Sequence, residues 1–149
     1  MKVSVQLEDF DAGREMSAVR TNNPKVGAVA SFIGVVRDVN DGTGVATMTL
    51  EHYPGMTEKA LEGIVDEAAG RWEVLDCTVI HRVGRLEPTD QIVFVAVASG
   101  HRGAAFAACQ FIMDYLKTQA PFWKKEQTQE GARWVEAKDS DDAAAGRWK

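Results

Sequence analysis

Cysteine is scarce in this chain. Cys77 and Cys109 are the two, both set among apolar neighbours and without Cys-x-x-Cys spacing, which argues against a disulfide framework or a zinc site. Long apolar runs are missing too: none approaches the ~20 residues a membrane span requires. The first ten residues, MKVSVQLEDF, lack the apolar segment and small-residue cleavage site of a signal peptide, so a cytoplasmic chain is expected. Nor is there an excess of positive charge. Lys and Arg number 17 against 22 Asp and Glu, a net −5, which argues against bulk nucleic-acid binding. No P-loop, GxGxxG, Ser-His-Asp set, metal-ligand spacing, internal repeat or low-complexity tract is found. What remains is an ordinary globular composition, 45% hydrophobic and 26% charged, over 149 residues. That length predicts one domain with a real core over 1–149, ending in a polar tail over about 139–149.

The chain alternates strand and helix patterns. Val3, Val5 and Leu7 alternate with polar residues and predict a short strand; residues 9–20 suggest a short helix. Residues 26–39, VGAVASFIGVVRDV, predict a long valine-rich strand, with Gly27 and Gly34 marking a bulge or a close backbone approach. The turn signal Asn40-Asp41-Gly42-Thr43-Gly44 predicts a hairpin whose second arm is residues 45–53. Thr57 is the expected N-cap of a helix striped by Leu61, Ile64, Val65, Ala68 and Trp72. Residues 77–86 read as a strand, and residues 91–98, apolar on both faces, as a central strand. A short strand over 133–137 precedes the tail, which is either a short helix capped by Asp139 or Ser140 or without fixed structure. Neighbouring hairpin-like strands in this order favour α+β, with a mixed or antiparallel sheet and packed helices, over a doubly wound sheet.

Residues 101–126, HRGAAFAACQFIMDYLKTQAPFWKKE, concentrate the chemistry. After His101-Arg102-Gly103, apolar residues cover most of a helix circumference and leave one polar line, Gln110, Asp114 and Lys117. Pro121 stops the helix soon after Lys117. Between 101 and 125, four cations (Arg102, Lys117, Lys124, Lys125) against one acid (Asp114) give a local +3. Taken singly, each lysine is a solvated surface residue, and Lys117 complements a helix C-terminus and can pair with Asp114. Taken together, the Pro121-Phe122-Trp123 turn is expected to hold Lys117 and Lys124 near one place. Crowded cations lower one another's proton affinity and also hold phosphate. His101 and Arg102 lie between a central strand and a helix start, where anions bind. Arg37 alone is a surface residue. His52 and His81, in strands, and the two cysteines are structural.

The segments LEHYPGMTEKAL (50–61), VIHRVGRL (79–86), FIMDYLKTQAPFWKKE (111–126) and RWVEAK (133–138) together resemble the large, catalytic subunit of molybdopterin synthase, with similarity from about Val26 to Trp148. The resemblance implies an α/β-hammerhead fold, a homodimer, and a heterotetramer with a small ubiquitin-like sulfur-carrier subunit. The carrier's C-terminal thiocarboxylate supplies sulfur, with no resident cofactor or metal, to cyclic pyranopterin monophosphate (precursor Z), forming the dithiolene of molybdopterin. The matching positions are Lys117 and Lys124 for catalysis, and Arg37, His101, Arg102, Lys125 and Glu126 for substrate. Val35 stands where the family often carries a basic residue. Lys138 stands for an arginine that reaches the partner protomer's site; it keeps charge but loses bidentate phosphate geometry. Two other readings use the same residues. One is a module holding single-stranded nucleic acid by stacking and charge, which wants a whole basic face. The other is a scaffold that only docks a ubiquitin-like partner, which does not require the lysines to meet.

Overall fold

Short alternating segments pair as strands and the 3.6-periodic segments pack on them as helices. The computed structural model describes residues 1–37, 39–40, 43–128, 131–135 and 139–149. In chain order these form β1 (Lys2–Gln6), α1 (Ala12–Ala18), β2 (Ala28–Val35), β3 (Val39–Asn40), β4 (Thr43–His52) and α2 (Met56–Arg71). There follow β5 (Asp76–Arg82), β6 (Gly84–Leu86), β7 (Gln91–Ser99), α3 (Arg102–Gln119), β8 (Phe122–Thr128), β9 (Gly131–Val135) and α4 (Asp139–Gly146). One sheet has the order β1-β5-β7-β2, with β1 parallel to β5 and the other pairs antiparallel. The second runs β3-β4-β8-β9, with β6 added on β4. This is an α+β fold with a mixed and an antiparallel sheet.

The apolar run of β7 is explained by its place: it lies between β5 and β2 and is buried from Val93 to Ser99. Alternation on β5 sorts the core. Cys77 and Val79 join Leu61, Ile64, Val65 and Ala68 of α2 and Ala108, Phe111, Ile112 and Leu116 of α3, while Ile80 faces Phe94 and Val19 on the α1 side. Each such large side chain contributes about 1.5–3 kcal/mol on burial. A third cluster, Val36, Met48, Leu50, Val83 and Leu86, fills the junction of the two sheets.

Several boundaries differ from the sequence expectation. The valine-rich strand stops at Val35. A bulge falls between Gly34 and Val35, and Val36 turns aside to exchange backbone bonds with Thr89 and Asp90. β2 therefore pairs with β7, and the expected hairpin keeps only the short β3 as first arm against β4. Residues 77–86 divide into β5 and β6 around Val83, with Gly84 at φ 86°, a conformation glycine adopts without steric cost. Thr57 does not cap α2; Gly55 does, and Glu58 accepts its N–H at 3.2 Å. The buried Thr57 hydroxyl instead accepts from Tyr53 N and donates to Pro121 O, both at 3.0 Å, tying the start of α2 to the end of α3. Phe122 and Trp123 begin a strand rather than forming a turn. The tail folds as α4 and packs on α3, with Trp148 edge-on to Trp72 and Phe111.

Candidate active site

α3 leaves the end of β7 and runs back over the sheet, packing on β7 and β2. Since β2 is antiparallel to β7, α3 points the same way as β2. Its C-terminal turn thus reaches the end of β2 from which Arg37 emerges, exposed. Between the two elements lies an open cleft of about 600 Å³. Ser31 and Phe32 line it from β2, and Phe106, Gln110, Met113, Asp114 and Lys117 from α3. The whole polar line of the helix therefore faces the cleft, with Lys117, exposed, in its last turn.

Lys124 comes from β8, opposite Leu50 of β4 and Val135 of β9. A strand paired on both sides holds its backbone. Strand alternation puts it on the face of Phe122, whose ring stacks on His81 with centroids 3.8 Å apart and planes at 19°. His81 lies one step along β5 from the helix-facing Cys77 and Val79. Its Nδ1 bonds Arg82 O at 2.8 Å, which assigns Nδ1–H and leaves Nε2 as an acceptor. Burial above all, joined by the charges of Lys117, Lys124 and His52, pushes its pKa down to about 3. Lys117 and Lys124 thus both act electrostatically on one buried, neutral imidazole. The segment between them is a helix–strand junction, with Phe122 opening β8, rather than the expected turn. His81 itself was assigned a structural role from its strand setting. The alternation Cys77, Val79, His81 was the signal that placed it in the field of the two lysines.

Other anticipated residues do not join them within one chain. His101 caps α3 without a side-chain cap bond, and Arg102 is its first residue, both exposed. Fifteen residues of helix put Arg102 roughly 22 Å from Lys117. The His101 corner is held by a close approach: Gly27 N bonds Ser99 O at 2.9 Å, and a Cβ on Gly27 would lie 2.3 Å from Gly100 O. Glu73 accepts from Gly100 N at 2.9 Å. Lys125 faces away from Lys124, with Nζ 5.8 Å from the Trp134 ring centre. Glu126 has its backbone in β8, but its side chain, and Lys138 entirely, lie outside the described residues. Asp114 does not pair with Lys117; it accepts from Trp148 Nε1 at 2.7 Å. Cys77 and Cys109 are buried free thiols whose pKa values desolvation raises to about 12 and about 11. Among the described residues no cluster of His, Cys, Asp or Glu could hold a metal, and no helix is long and apolar enough to cross a membrane.

Comparison with known proteins adds a second line of observation. The family model described as MoaE protein matches residues 5–119. A relative from Ralstonia nicotianae, named molybdopterin synthase catalytic subunit, is 67% identical over 146 residues, covering 98% of this chain and 83% of its own length. The solved structure of a molybdopterin biosynthesis MoaE protein from Burkholderia ambifaria superposes with a TM-score of 0.85 at 58% identity, covering 99% of this chain and 97% of that one. The crystal structure of molybdopterin synthase from Staphylococcus aureus gives a TM-score of 0.82 at 31% identity, covering 89% and 95%.

Proposed function

Because this chain belongs to the MoaE protein family, we propose that it is the catalytic subunit of molybdopterin synthase, a sulfurtransferase of molybdenum cofactor biosynthesis. It takes sulfur from the C-terminal thiocarboxylate of a small ubiquitin-like carrier subunit and delivers it to cyclic pyranopterin monophosphate, precursor Z, building the dithiolene of molybdopterin. The observation that carries this reading is that Lys117, which lines the α3–β2 cleft, and Lys124 of β8 both act on the buried His81, with Arg37 just beyond β2. Two ammonium groups and a guanidinium suit a phosphorylated pterin and an anionic thiocarboxylate. The buried thiols of this chain are poor nucleophiles, which supports a sulfur that arrives on the partner. No resident cofactor is needed, and the reaction is placed in the cytoplasm.

In the chemical step the carrier's sulfur forms the new carbon–sulfur bond on the pterin side chain. The carrier's acyl carbon passes to water, directly or by way of Lys117 Nζ, and the displaced oxygen departs after protonation. Lys117 serves as that transient acyl acceptor or as the proton donor. Lys124 and Arg37 hold the substrate.

His101 and Arg102 are assigned to the partner protomer's site in a homodimer, together with Lys138; Lys125 and Glu126 are assigned to substrate beside Lys124. Support for a dimer comes from β2, the outer strand of its sheet, where Phe32, Ile33 and Val35 are exposed beside Phe106, itself 66% exposed. The test is single-turnover conversion of precursor Z with thiocarboxylated carrier in excess. Lys117→Ala should slow it by a factor of ~10² or more while carrier binding survives. Lys117→Arg should not restore it, because guanidinium keeps its proton at neutral pH. Near wild-type rates for Lys117→Arg would show that charge alone suffices and would remove the chemical role.

A further inference from the structure

The C-terminal residues make a contact that bears on Lys117. Asp114 and Lys117 are one turn apart on the same side of α3, both lining the cleft, and a free carboxylate at that spacing pairs with its lysine. Here the pair is not made, and among the described residues Lys117 has no ion pair. Asp114 Oδ2 is instead held by Trp148 Nε1 at 2.7 Å, with Arg147 Nε at 3.7 Å. Trp148 is itself clamped. Its ring packs edge-on against Trp72 and Phe111 at 5.4 and 5.7 Å, and its carbonyl accepts from Arg71 Nη1 at 2.7 Å. Arg147 Nε is committed to Ala144 O at 3.1 Å, so the indole is the principal donor to Asp114. Lys117 acts on the neutral His81 of β5, as do Lys124 of β8 and His52 of β4. Glu58 of α2 is occupied by Gly55 N at 3.2 Å and His52 at 3.9 Å.

We propose that Trp148 is a positioning residue: its indole N–H draws the Asp114 carboxylate to the α4 side of α3 and so keeps the Lys117 amine free of the carboxylate one turn before it. This rests on the reading that Lys117 performs the chemical step. In that reading an ion pair would hold Lys117 protonated and turned along the helix, unfit either to take the acyl group or to be re-poised between proton transfers. The C-terminal helix, remote in sequence from every reacting group, is then part of what makes the lysine reactive.

The test uses the full chain and reads Lys117 directly. Pulse labelling with an amine-reactive acetylating reagent at pH 8, followed by peptide mass spectrometry, gives the rate at Lys117 relative to the exposed Lys2 and Lys59. Trp148→Phe keeps an aromatic ring against Trp72 and Phe111 and removes only the donor. It should slow Lys117 labelling about two- to fivefold, the size of an exposed ion pair. Adding Asp114→Asn to Trp148→Phe should return the rate to wild type. A Trp148→Phe rate equal to wild type overturns the proposal, as does a double variant as slow as the single one, which would make the change structural. Asp114→Asn alone, which retains an acceptor for the indole, covers the case in which Trp148→Phe does not fold. It should leave Lys117 labelling at the wild-type rate, and a twofold or greater acceleration would show that Asp114 already pairs with Lys117. Labelling needs no turnover, so failure here is separable from failure of the Lys117→Ala test of the chemical role.

Discussion

His81 is a buried histidine whose folded state strongly prefers the neutral ring, and this makes stability depend on pH in a calculable way. In the unfolded chain an imidazole titrates near 6.5; in the folded chain burial and the neighbouring cations bring it to about 3. Below pH 6.5 the unfolded state gains a proton that the folded state refuses. Stability from this group is therefore fully present above the unfolded pKa and is lost as pH falls toward 3. Each pH unit in that window costs about 1.4 kcal/mol, so going from pH 8 to pH 5 removes about 2 kcal/mol. For a domain of this size that lowers Tm by roughly 4–8 °C. His81→Asn isolates the effect: the amide N–H can replace Nδ1–H toward Arg82 O, and Asn does not titrate. The lost stack on Phe122 destabilises the variant at every pH and cancels when each protein is compared with itself. Urea unfolding of both proteins at pH 8 and pH 5 gives the four free energies needed. The wild type should lose about 2 kcal/mol more than the variant between the two pH values. Equal losses would mean that His81 is protonated in the folded protein, and the neutral base in the field of the lysines would be wrong.

Gly27→Ala should destabilise the chain by about 1–3 kcal/mol in urea, since its Cβ meets the Gly100 carbonyl at 2.3 Å in paired backbone that cannot yield without moving the His101 corner. Cys77→Ser combined with Cys109→Ala should keep single-turnover sulfur transfer from the thiocarboxylated carrier, and iodoacetamide should leave both thiols of the native wild type unmodified. A folded but inactive double variant would point to a persulfide on this chain.

The parts of the fold legible in the sequence were those whose signals are local. The apolar run of β7, the circumference of α3 and the stop at Pro121 all sit within a few residues of the structure they dictate. Strand partnership was less legible. The Asn-Asp-Gly-Thr-Gly turn correctly marks a reversal, but nothing near Val36 announces that the chain turns aside there to bond Thr89 and Asp90, so β2 looked like the arm of a hairpin it does not join. The short helix at the C-terminus was among the sequence readings, but its packing was illegible for a similar reason: Trp148 finds Asp114 and Trp72 only once α2 and α3 are side by side. In the site, the joint action of Lys117 and Lys124 on His81 is in keeping with the one short junction that separates them in sequence. The separation of Arg102 from Lys117 could also have been foreseen, because 15 residues of helix is a length as well as a spacing.

That length has an evolutionary corollary. α3 carries Gln110, Asp114 and Lys117 on the cleft side and Ala108, Phe111, Ile112 and Leu116 in the core, on one rigid rod. Inserting or deleting one residue between Gly103 and Asp114 would turn Lys117 by ~100° and shift it by ~1.5 Å, exchanging a wall of the cleft for a wall of the core. Residue types along this helix can drift while the hydrophobic pattern holds, but its residue count cannot. Length variation among working relatives should therefore fall in the connections and termini, with the stretch from His101 to Lys117 free of gaps.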